Sequence, residues 1–168
     1  SVLITFPLMF LFGGLIQKVF INRVLDALPQ NQILLTIGLG LIMSNTAMLI
    51  FTSDYKILTT SYSSGSVKLG GISISQPMTI SFLITVAVTA ALWWFLKKTD
   101  TGQAIRATAQ DRDAAQLMGI NVKRMSIIAF GLGSSLVATA GALIAPTYYI
   151  YPQVGAAFTL KAFVITVL

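Results

Sequence analysis

The stretch SIIAFGLGSSLVATAGALIA, residues 126–145, contains no charged residue and is rich in small ones. A helix of roughly 20 apolar residues is long enough to cross a hydrocarbon core about 30 Å thick. In lipid there is little hydrophobic force between helices, so they associate where small residues let their backbones approach. Gly131, Ser135 and Thr139 recur four residues apart. They predict a packing stripe on a span that is central in a helical bundle.

Two further apolar runs, Ile33–Thr52 and Met78–Leu96, have the same spanning length. Val2–Ile16 and Ala156–Leu168 are shorter runs at the two ends of the sequence. The sequence therefore predicts an all-α polytopic transmembrane bundle with about three full and two partial spans. We expect residues 1–168 to be a single transmembrane domain, truncated at both ends of a longer protein.

The composition supports a membrane location. Hydrophobic residues make up 55% of the chain and charged residues 10%, whereas soluble domains carry about a quarter charged residues. The net charge of +6 is spread over loops between apolar runs and does not cover one face of a soluble domain. We therefore expect the lipid bilayer, and not nucleic acid, to be the partner of this surface.

The distribution of basic residues predicts an orientation, because Lys and Arg are retained in cytoplasmic loops. With the loop 97–124 placed inside, the alternation of spans places the loop 17–32 inside as well. The basic residues then inside are Lys18, Arg23, Lys97, Lys98, Arg106, Arg112, Lys123 and Arg124, and those outside are Lys56, Lys68 and Lys161. In the outer loop, apolar residues alternate on both sides of Gly70-Gly71, which predicts a small β-hairpin.

The residue types that usually carry enzyme chemistry are missing. The chain has no His, Cys or Glu, and its five Asp residues all fall in predicted loops. Metal sites and nucleophile–base pairs therefore cannot be assembled here, and we expect neither an enzyme nor a cofactor. No GxxxxGK[ST] phosphate-binding loop occurs. Proton-relay carboxylates are also absent from the predicted spans, although sodium coupling through backbone carbonyls stays open.

A few polar residues fall within or beside the apolar runs. Asn45 and Thr46 lie in one span, and Ser134 and Ser135 lie in another. Such residues bond neighbouring helices or line a polar substrate path, and both interpretations stay open. Lys161 extends to the outer interface or has a substrate or ion-pair role.

The inner loop has its own local pattern. Residues 103–118 contain several alanines and neither Gly nor Pro, which favours helix. Asp100 or Thr101 could cap its start, and Gly119 followed by Ile120 is typical of a left-handed helix end. The loop is thus predicted to hold one or two short helices, which are either solvated or docked into a partner's groove.

The run TGQAIRATAQDRDAAQLMGINVKRMSIIAFGLGSSLVATAGALIAPTYYIYPQVGAAFTLKAFVITVL, residues 101–168, closely resembles the integral-membrane permeases of bacterial branched-chain amino acid ABC transporters. The residues that carry this resemblance are Gly102, Arg106, Ala107, Asp111, Ala114, Ala115, Gly119-Ile120, FGLGS at 130–134, Ala140-Gly141 and Lys161-Ala162-Phe163.

The resemblance implies a bundle of the ABC importer permease type in the bacterial cytoplasmic membrane, forming part of a path for branched-chain or related amino acids. It implies cytoplasmic ATP-binding subunits, a second permease subunit, identical or sister, and an extracytoplasmic solute-binding protein as partners. The residues that it assigns to the ATPase-docking loop are Gly102, Arg106, Ala107, Asp111, Arg112, Ala114, Gly119 and Ile120.

Three alternative functions stay open at this point. The chain could be an ion-coupled secondary transporter, or an ABC permease for urea or short amides, since related permeases have a similar loop. A membrane scaffold without transport activity is the third. Dependence of uptake on ATP or on an ion gradient separates the first two classes, and absence of uptake indicates the last.

Overall fold

The computed structural model describes residues 2–25, 27, 29–51, 66–69, 72–145, 151 and 154–167. In this part of the chain, helices are joined by loops and by one short hairpin. The helices are α1 (Val2–Val19), α2 (Pro29–Phe51), α3 (Gln76–Lys98), α4 (Asp100–Gln110), α5 (Arg112–Leu117), α6 (Val122–Ile144) and α7 (Val154–Val167), with a 3-10 turn at Ile21–Arg23.

Four segments are long and apolar enough to cross a membrane: Ile4–Arg23, Gln30–Phe51, Gln76–Lys98 and Val122–Ile144. A shorter apolar helix covers Val154–Thr166. The predicted all-α polytopic bundle is therefore confirmed, and the described residues contain four full-length spans where about three were predicted. The first span was predicted to end at Ile16, whereas its helix continues through the polar residues Gln17 and Lys18.

The predicted hairpin between α2 and α3 is confirmed. Strand β1 (Ser66–Leu69) pairs with β2 (Ile72–Ser75) in antiparallel register, with Val67 opposite Ile74 and Leu69 opposite Ile72. The paired strands are two residues apart in the sequence, the separation typical of the commonest hairpins. Helix α3 follows at once with Pro77 in its first turn, where the missing N–H leaves no hydrogen bond unmade.

Helices α1 and α6 are the most extensively packed pair and lie antiparallel. Phe10 of α1 meets Gly131 of α6, whereas Gly14 further along α1 meets Ile127 earlier on α6. At the end of the bundle where α1 finishes and α6 begins, Ile16, Ile21 and Leu25 form a small apolar core. Val122 of α6 packs against this core, so the loops 17–32 and 97–124 lie at the same end of the bundle.

The predicted small-residue stripe of α6 is confirmed as a packing surface. Gly131, Ser135 and Thr139 are all buried, and Ser135 has 0% of its surface exposed. Both hydroxyls donate to carbonyls of their own helix, Ser135 to Leu132 and Thr139 to Ser135, each at 2.8 Å. Both hydroxyls are therefore hydrogen-bonded within α6. The side chains of the stripe are small, so α1 can pack close to it.

Glycines allow the two backbones to meet at this contact. A Cβ atom added to Gly131 would lie 2.9 Å from the carbonyl oxygen of Phe10, and one added to Gly13 would lie 2.6 Å from Cβ of Ser134. Helix α6 also contacts α3, α4 and α5, which confirms its central place. Near the other end of α6, the Ser81 hydroxyl of α3 donates to the Leu143 carbonyl at 3.1 Å.

We predict that Gly131→Ala destabilises the bundle by about 1–3 kcal/mol, because the new methyl group must displace the α1 backbone. Thermal unfolding of the full permease in detergent would measure the loss. Gly141→Ala is the matched control on the same helix, since nothing lies within 4 Å of a Cβ at that position. Equal unfolding temperatures for the two variants would contradict the assigned contact.

Candidate functional site

The loop between α3 and α6 begins with a capped turn. Thr99 has extended backbone angles and its Oγ1 accepts the Gly102 N–H at 3.1 Å. The same hydroxyl donates to the Phe95 carbonyl at the end of α3, at 2.7 Å. The cap is therefore Thr99, and the prediction of Asp100 or Thr101 was wrong. Both of those residues already lie inside α4, where the backbone is helical.

Gly102 holds α4 close to the end of α3. A Cβ atom at this position would lie 2.6 Å from Cα of Leu96, in contact with main chain that cannot rotate away. Gly102 is buried. Its place in the docking-loop motif is thus explained by packing, because only a residue without a side chain lets α4 fold back here.

Asp111 ends one helix and starts the next. Its backbone N–H donates to the Ala107 carbonyl at 3.1 Å and so closes α4. Its Oδ1 accepts the N–H groups of Asp113 and Ala114, at 2.9 and 3.0 Å, and so caps α5. A carboxylate at a helix start satisfies free amides and also opposes the positive end of the helix dipole.

The predicted left-handed end of α5 is confirmed. Gly119 has φ +84°, a backbone conformation that favours glycine. The Gly119 N–H donates to Gln116 and the Ile120 N–H donates to Ala115, both at 3.0 Å. This pair of bonds is the Schellman arrangement, which satisfies the last carbonyls of the helix. Ala115 is buried below it, with 4% of its surface exposed.

Helix α6 starts after a short connection. The Asn121 Oδ1 accepts the Arg124 N–H at 3.0 Å and caps α6. Only Ile120 and Asn121 separate the Gly119 turn from that helix. The prediction of an organised loop with one or two short helices is therefore confirmed, and the structure has two, α4 and α5.

The residues assigned to docking by the resemblance do not all face outward. Arg106, Asp111, Arg112, Ala114 and Gly119 are exposed. Ala107 and Ile120 are half-buried, and Gly102 is buried. The structure thus divides the group into an exposed set, which a partner can reach, and a packed set, which positions the loop.

Leu117 and Met118 were missed by the sequence analysis. They stand at the end of α5 with 89% and 82% of their surfaces exposed. The sequence signal was their position directly before the Gly119 turn, where two apolar residues follow the small residues Ala114 and Ala115.

Two cavities flank the start of α6. One, of about 270 Å³, is lined by residues of α4, α5 and α6, including Thr108, Arg112 and Met125. The other is an open groove of about 770 Å³ between α1, α2 and α6. Ser126 and Ala129 line both cavities, which therefore lie on two sides of this part of α6.

The groove is mostly apolar. Its polar groups include the hydroxyls of Thr36, Ser126 and Ser134, and the Thr36 hydroxyl donates to the carbonyls of Gln32 and Ile33 at 3.0 and 2.9 Å. The remaining lining residues are Met9, Phe12, Ile16, Ile21, Leu39, Gly40, Met43, Ala129, Phe130, Gly133 and Val137.

The structure does not gather the predicted path residues into one site. Ser134 lines the groove, whereas Ser135 is fully buried in the small-residue stripe. Asn45 is exposed and its Nδ2 donates to the Leu41 carbonyl of its own helix at 2.7 Å, and Thr46 beside it is exposed. Lys161 is exposed on α7, with its Nζ 5.6 Å from the centre of the Phe158 ring.

Charged residues are sparse in the four described candidate spans. Among the described residues, no group of three or more His, Cys, Asp or Glu side chains comes together as a metal site would require. Lys97 lies over the Trp93 ring at 4.8 Å near the end of α3, an arrangement suited to a membrane interface. Apolar spans with basic, capped loops at one end define a multi-pass α-helical membrane protein.

Comparison with known proteins gives the family. The model of the family described as branched-chain amino acid transport system / permease component matches residues 1–168. The chain belongs to this family.

Individual relatives are similar over most of the chain. The high-affinity branched-chain amino acid transport system permease protein BraD of Pseudomonas aeruginosa is 28% identical over 162 residues, which are 94% of this chain and 53% of BraD. LivH of Escherichia coli, described in the same words, is 27% identical with the same coverage. The ribose import permease protein RbsC of Haemophilus influenzae is 26% identical over 136 residues, 80% of this chain and 40% of RbsC.

The chain therefore spans about half the length of the branched-chain relatives that it matches. No solved structure gives a significant match.

We predict that Asp111→Ala loosens α5, because two amides lose their acceptor at a cost of about 1 kcal/mol. Amide hydrogen exchange of residues 112–117 in the full permease would then be about fivefold faster, the ratio that corresponds to this energy. Asp111→Asn is the matched control, since its side-chain oxygen still caps the helix. Equal exchange in both variants and in the unmodified protein would show that the cap does not hold α5.

Proposed function

We propose that the chain is the transmembrane part of a permease subunit in an ATP-driven importer and forms part of the path for branched-chain or related amino acids. The observation that carries this proposal is the match to BraD and LivH over 94% of the chain. The match to the ribose permease covers less of the chain, and so favours amino acids over sugars as the substrate class.

The residue types in the chain support an importer in which transport and ATP hydrolysis are carried out by different subunits. It has no phosphate-binding loop and no His or Glu, so ATP hydrolysis would occur in separate cytoplasmic subunits. A second permease subunit and an extracytoplasmic solute-binding protein complete the importer that we propose. Family membership weighs against the ion-coupled and scaffold alternatives, and the names of the relatives do not favour urea or short amides.

We place the protein in the bacterial cytoplasmic membrane, with the loop 97–124 on the cytoplasmic side and residues 1–168 in one permease domain. The support is the basic character of the bundle end where loops 17–32 and 97–124 meet, because Lys and Arg are retained in the cytoplasm. This is also the side on which ATP is available.

The geometry of the loop suits transmission of movement. Capped helices α4 and α5 form a compact unit, and two residues join the Gly119 turn to α6. The start of α6 has free space on both sides, whereas Gly131 and Ser135 are held against α1. A docked ATPase could thus shift the start of α6 as a rigid body about this contact.

The substrate path in this proposal runs along the groove between α1, α2 and α6. Ser134 is the predicted path residue that the geometry favours, since it lines the groove. Asn45, Thr46 and Lys161 are exposed on other surfaces, where the rest of the permease or the second subunit could bring them to the path. Ser135 serves packing.

We expect uptake of leucine, isoleucine or valine into proteoliposomes that contain the full permease, its ATPase subunits and the binding protein to require ATP. Dissipating the ion gradients should leave the uptake rate unchanged. Labelled ribose and urea are the control substrates and should not accumulate. Uptake that continues without ATPase and collapses with the ion gradient would overturn the proposal.

We expect Arg112→Glu to uncouple ATP hydrolysis from uptake, because Arg112 is exposed on α5 and a reversed charge repels groups that it attracts. Uptake per ATP hydrolysed in the same proteoliposomes should fall severalfold below that of the unmodified transporter. Arg112→Lys keeps the charge and is the control. An unchanged ratio in Arg112→Glu would remove Arg112 from the docking surface.

A further inference from the structure

The four hydroxyl-bearing residues of α6 fall into two pairs. Ser135 and Thr139 lie in the small-residue stripe and donate to carbonyls of their own helix. Ser126 and Ser134 line the groove between α1, α2 and α6, and neither makes a side-chain hydrogen bond to any residue that the structure describes. A serine inside a helix commonly bonds a carbonyl one turn back. Two serines that do not are available to a molecule in the groove.

Gly13 of α1 leaves the space that the Ser134 hydroxyl occupies. Gly13 is buried, and a Cβ atom added to it would overlap Oγ of Ser134. The nearby α1 residues Phe12 and Ile16 line the groove. A larger residue at position 13 would therefore displace the hydroxyl from its place in the groove wall, so the missing side chain of Gly13 positions Ser134.

The lining of the groove favours a small amphipathic molecule. Among the described residues, none that lines it is charged, and most carry aliphatic, methionine or phenylalanine side chains. An apolar wall with a few polar groups is typical of a small-molecule site. The acyl chain of a lipid has no group that a hydroxyl can bond. A zwitterionic amino acid has two, since a hydroxyl accepts from an ammonium group and donates to a carboxylate.

The two serines lie at different depths in the bundle. They are eight residues apart on α6, which is about 12 Å along a helix axis and longer than one free amino acid. A single molecule therefore meets them in succession. Ser126 lies four residues after Val122, the first residue of α6, and so belongs to the end of the bundle that carries the loop 97–124.

We propose that Ser134 and Ser126 are successive substrate-contacting residues of the groove, and that Gly13 is the positioning residue for Ser134. Each hydroxyl bonds the ammonium or carboxylate group of an amino acid whose aliphatic side chain lies against the apolar wall. This inference rests on the proposed function and deepens it. It adds a second contact at Ser126 and gives Gly13 a role in transport.

The first test compares neighbouring serines in the full transporter, reconstituted with its ATPase subunits and binding protein. Ser134→Ala and Ser126→Ala should each lower the maximal rate of leucine uptake severalfold, because a hydrogen bond to a charged group is lost. Ser126→Thr keeps the hydroxyl and should retain uptake. Ser135→Ala also removes one hydroxyl, but that hydroxyl is bonded within α6, so this matched control should keep the rate. Unchanged rates in both of the first two variants, or an equal loss in the control, would overturn the proposal.

The second test separates the position of the hydroxyl from the packing of the helices. Gly13→Ala should lower leucine uptake as Ser134→Ala does, because the new methyl group displaces the hydroxyl. Gly13→Ala combined with Ser134→Gly makes room for that methyl group. The unfolding temperature of this double variant should return toward that of the unmodified permease while uptake stays low. Recovery of uptake along with stability would show that the pair serves packing alone.

The third test identifies what occupies the groove. Residues 1–168 contain no cysteine, so Ser126→Cys or Ser134→Cys adds a single thiol to a full permease from which any other cysteine has been removed. We expect a small water-soluble thiol reagent to label both positions in the reconstituted transporter. Leucine supplied with the binding protein and ATP should slow the labelling severalfold, and ribose should not.

Three results of this labelling would overturn the inference. Labelling that leucine does not slow would take the substrate away from the groove. Thiols that react only with a lipid-soluble reagent would assign the groove to lipid. Thiols that react with neither reagent would assign it to another protein segment, which the serines would then bond.

Failure of the inference can be told from failure of the proposed function. If the unmodified transporter imports leucine with ATP and the serine variants import it equally well, the path lies elsewhere and the importer assignment stands. If the unmodified transporter does not import leucine with ATP, the proposed function fails and the inference fails with it.

Discussion

The close approach of α1 and α6 is the contact on which the rest of the described structure depends. In lipid, burying apolar side chains between helices gains little, so helices are held by packing of surfaces that fit closely. Gly131 against the Phe10 carbonyl and Gly13 against Ser134 bring the two backbones into contact. Ser135 and Thr139 extend the same surface because their hydroxyls are bonded within α6. This contact fixes α6, and α6 carries the loop.

The loop depends on hydrogen bonds because it lies where water competes for every polar group. Each helix end between Phe95 and Arg124 has a partner: Thr99, Asp111 and Asn121 cap the starts, and the Gly119 turn closes α5. The free amides and carbonyls at helix ends need partners, and here short side chains and main chain provide them. The result is a compact unit whose helix ends are hydrogen-bonded.

Much of the fold was predictable from the sequence because the membrane imposes strong patterns. Apolar length predicted the spans, alternation around Gly70-Gly71 predicted the hairpin, and Gly119 predicted a left-handed turn. Exact helix ends were less predictable. Thr99, Asp100 and Thr101 are all able to cap, and the backbone angle at Thr99 decides among them. The polar residue Gln17 is compatible with either the end or the continuation of α1, and in the structure the helix continues through it.

The candidate sites were less predictable, since they depend on which way a helix faces. A serine in a span can line a path or bond its own helix, and Ser134 and Ser135 do not share one environment although they are adjacent. Asn45 likewise bonds its own helix. The exposure of Leu117 and Met118 follows from how α5 is oriented, with Ala115 as its buried side, which no local pattern encodes.

The central claim is that the loop moves as one body and carries the start of α6 with it. Spin labels on cysteines at exposed Gln103 and Gln116 in the full transporter would report distances within the loop, and labels at Gln116 and exposed Lys18 would report its position against α1. We predict that the first distance stays constant between nucleotide-free and ATP-bound states while the second changes. A loop distance that changes while the distance to α1 stays fixed would contradict the account.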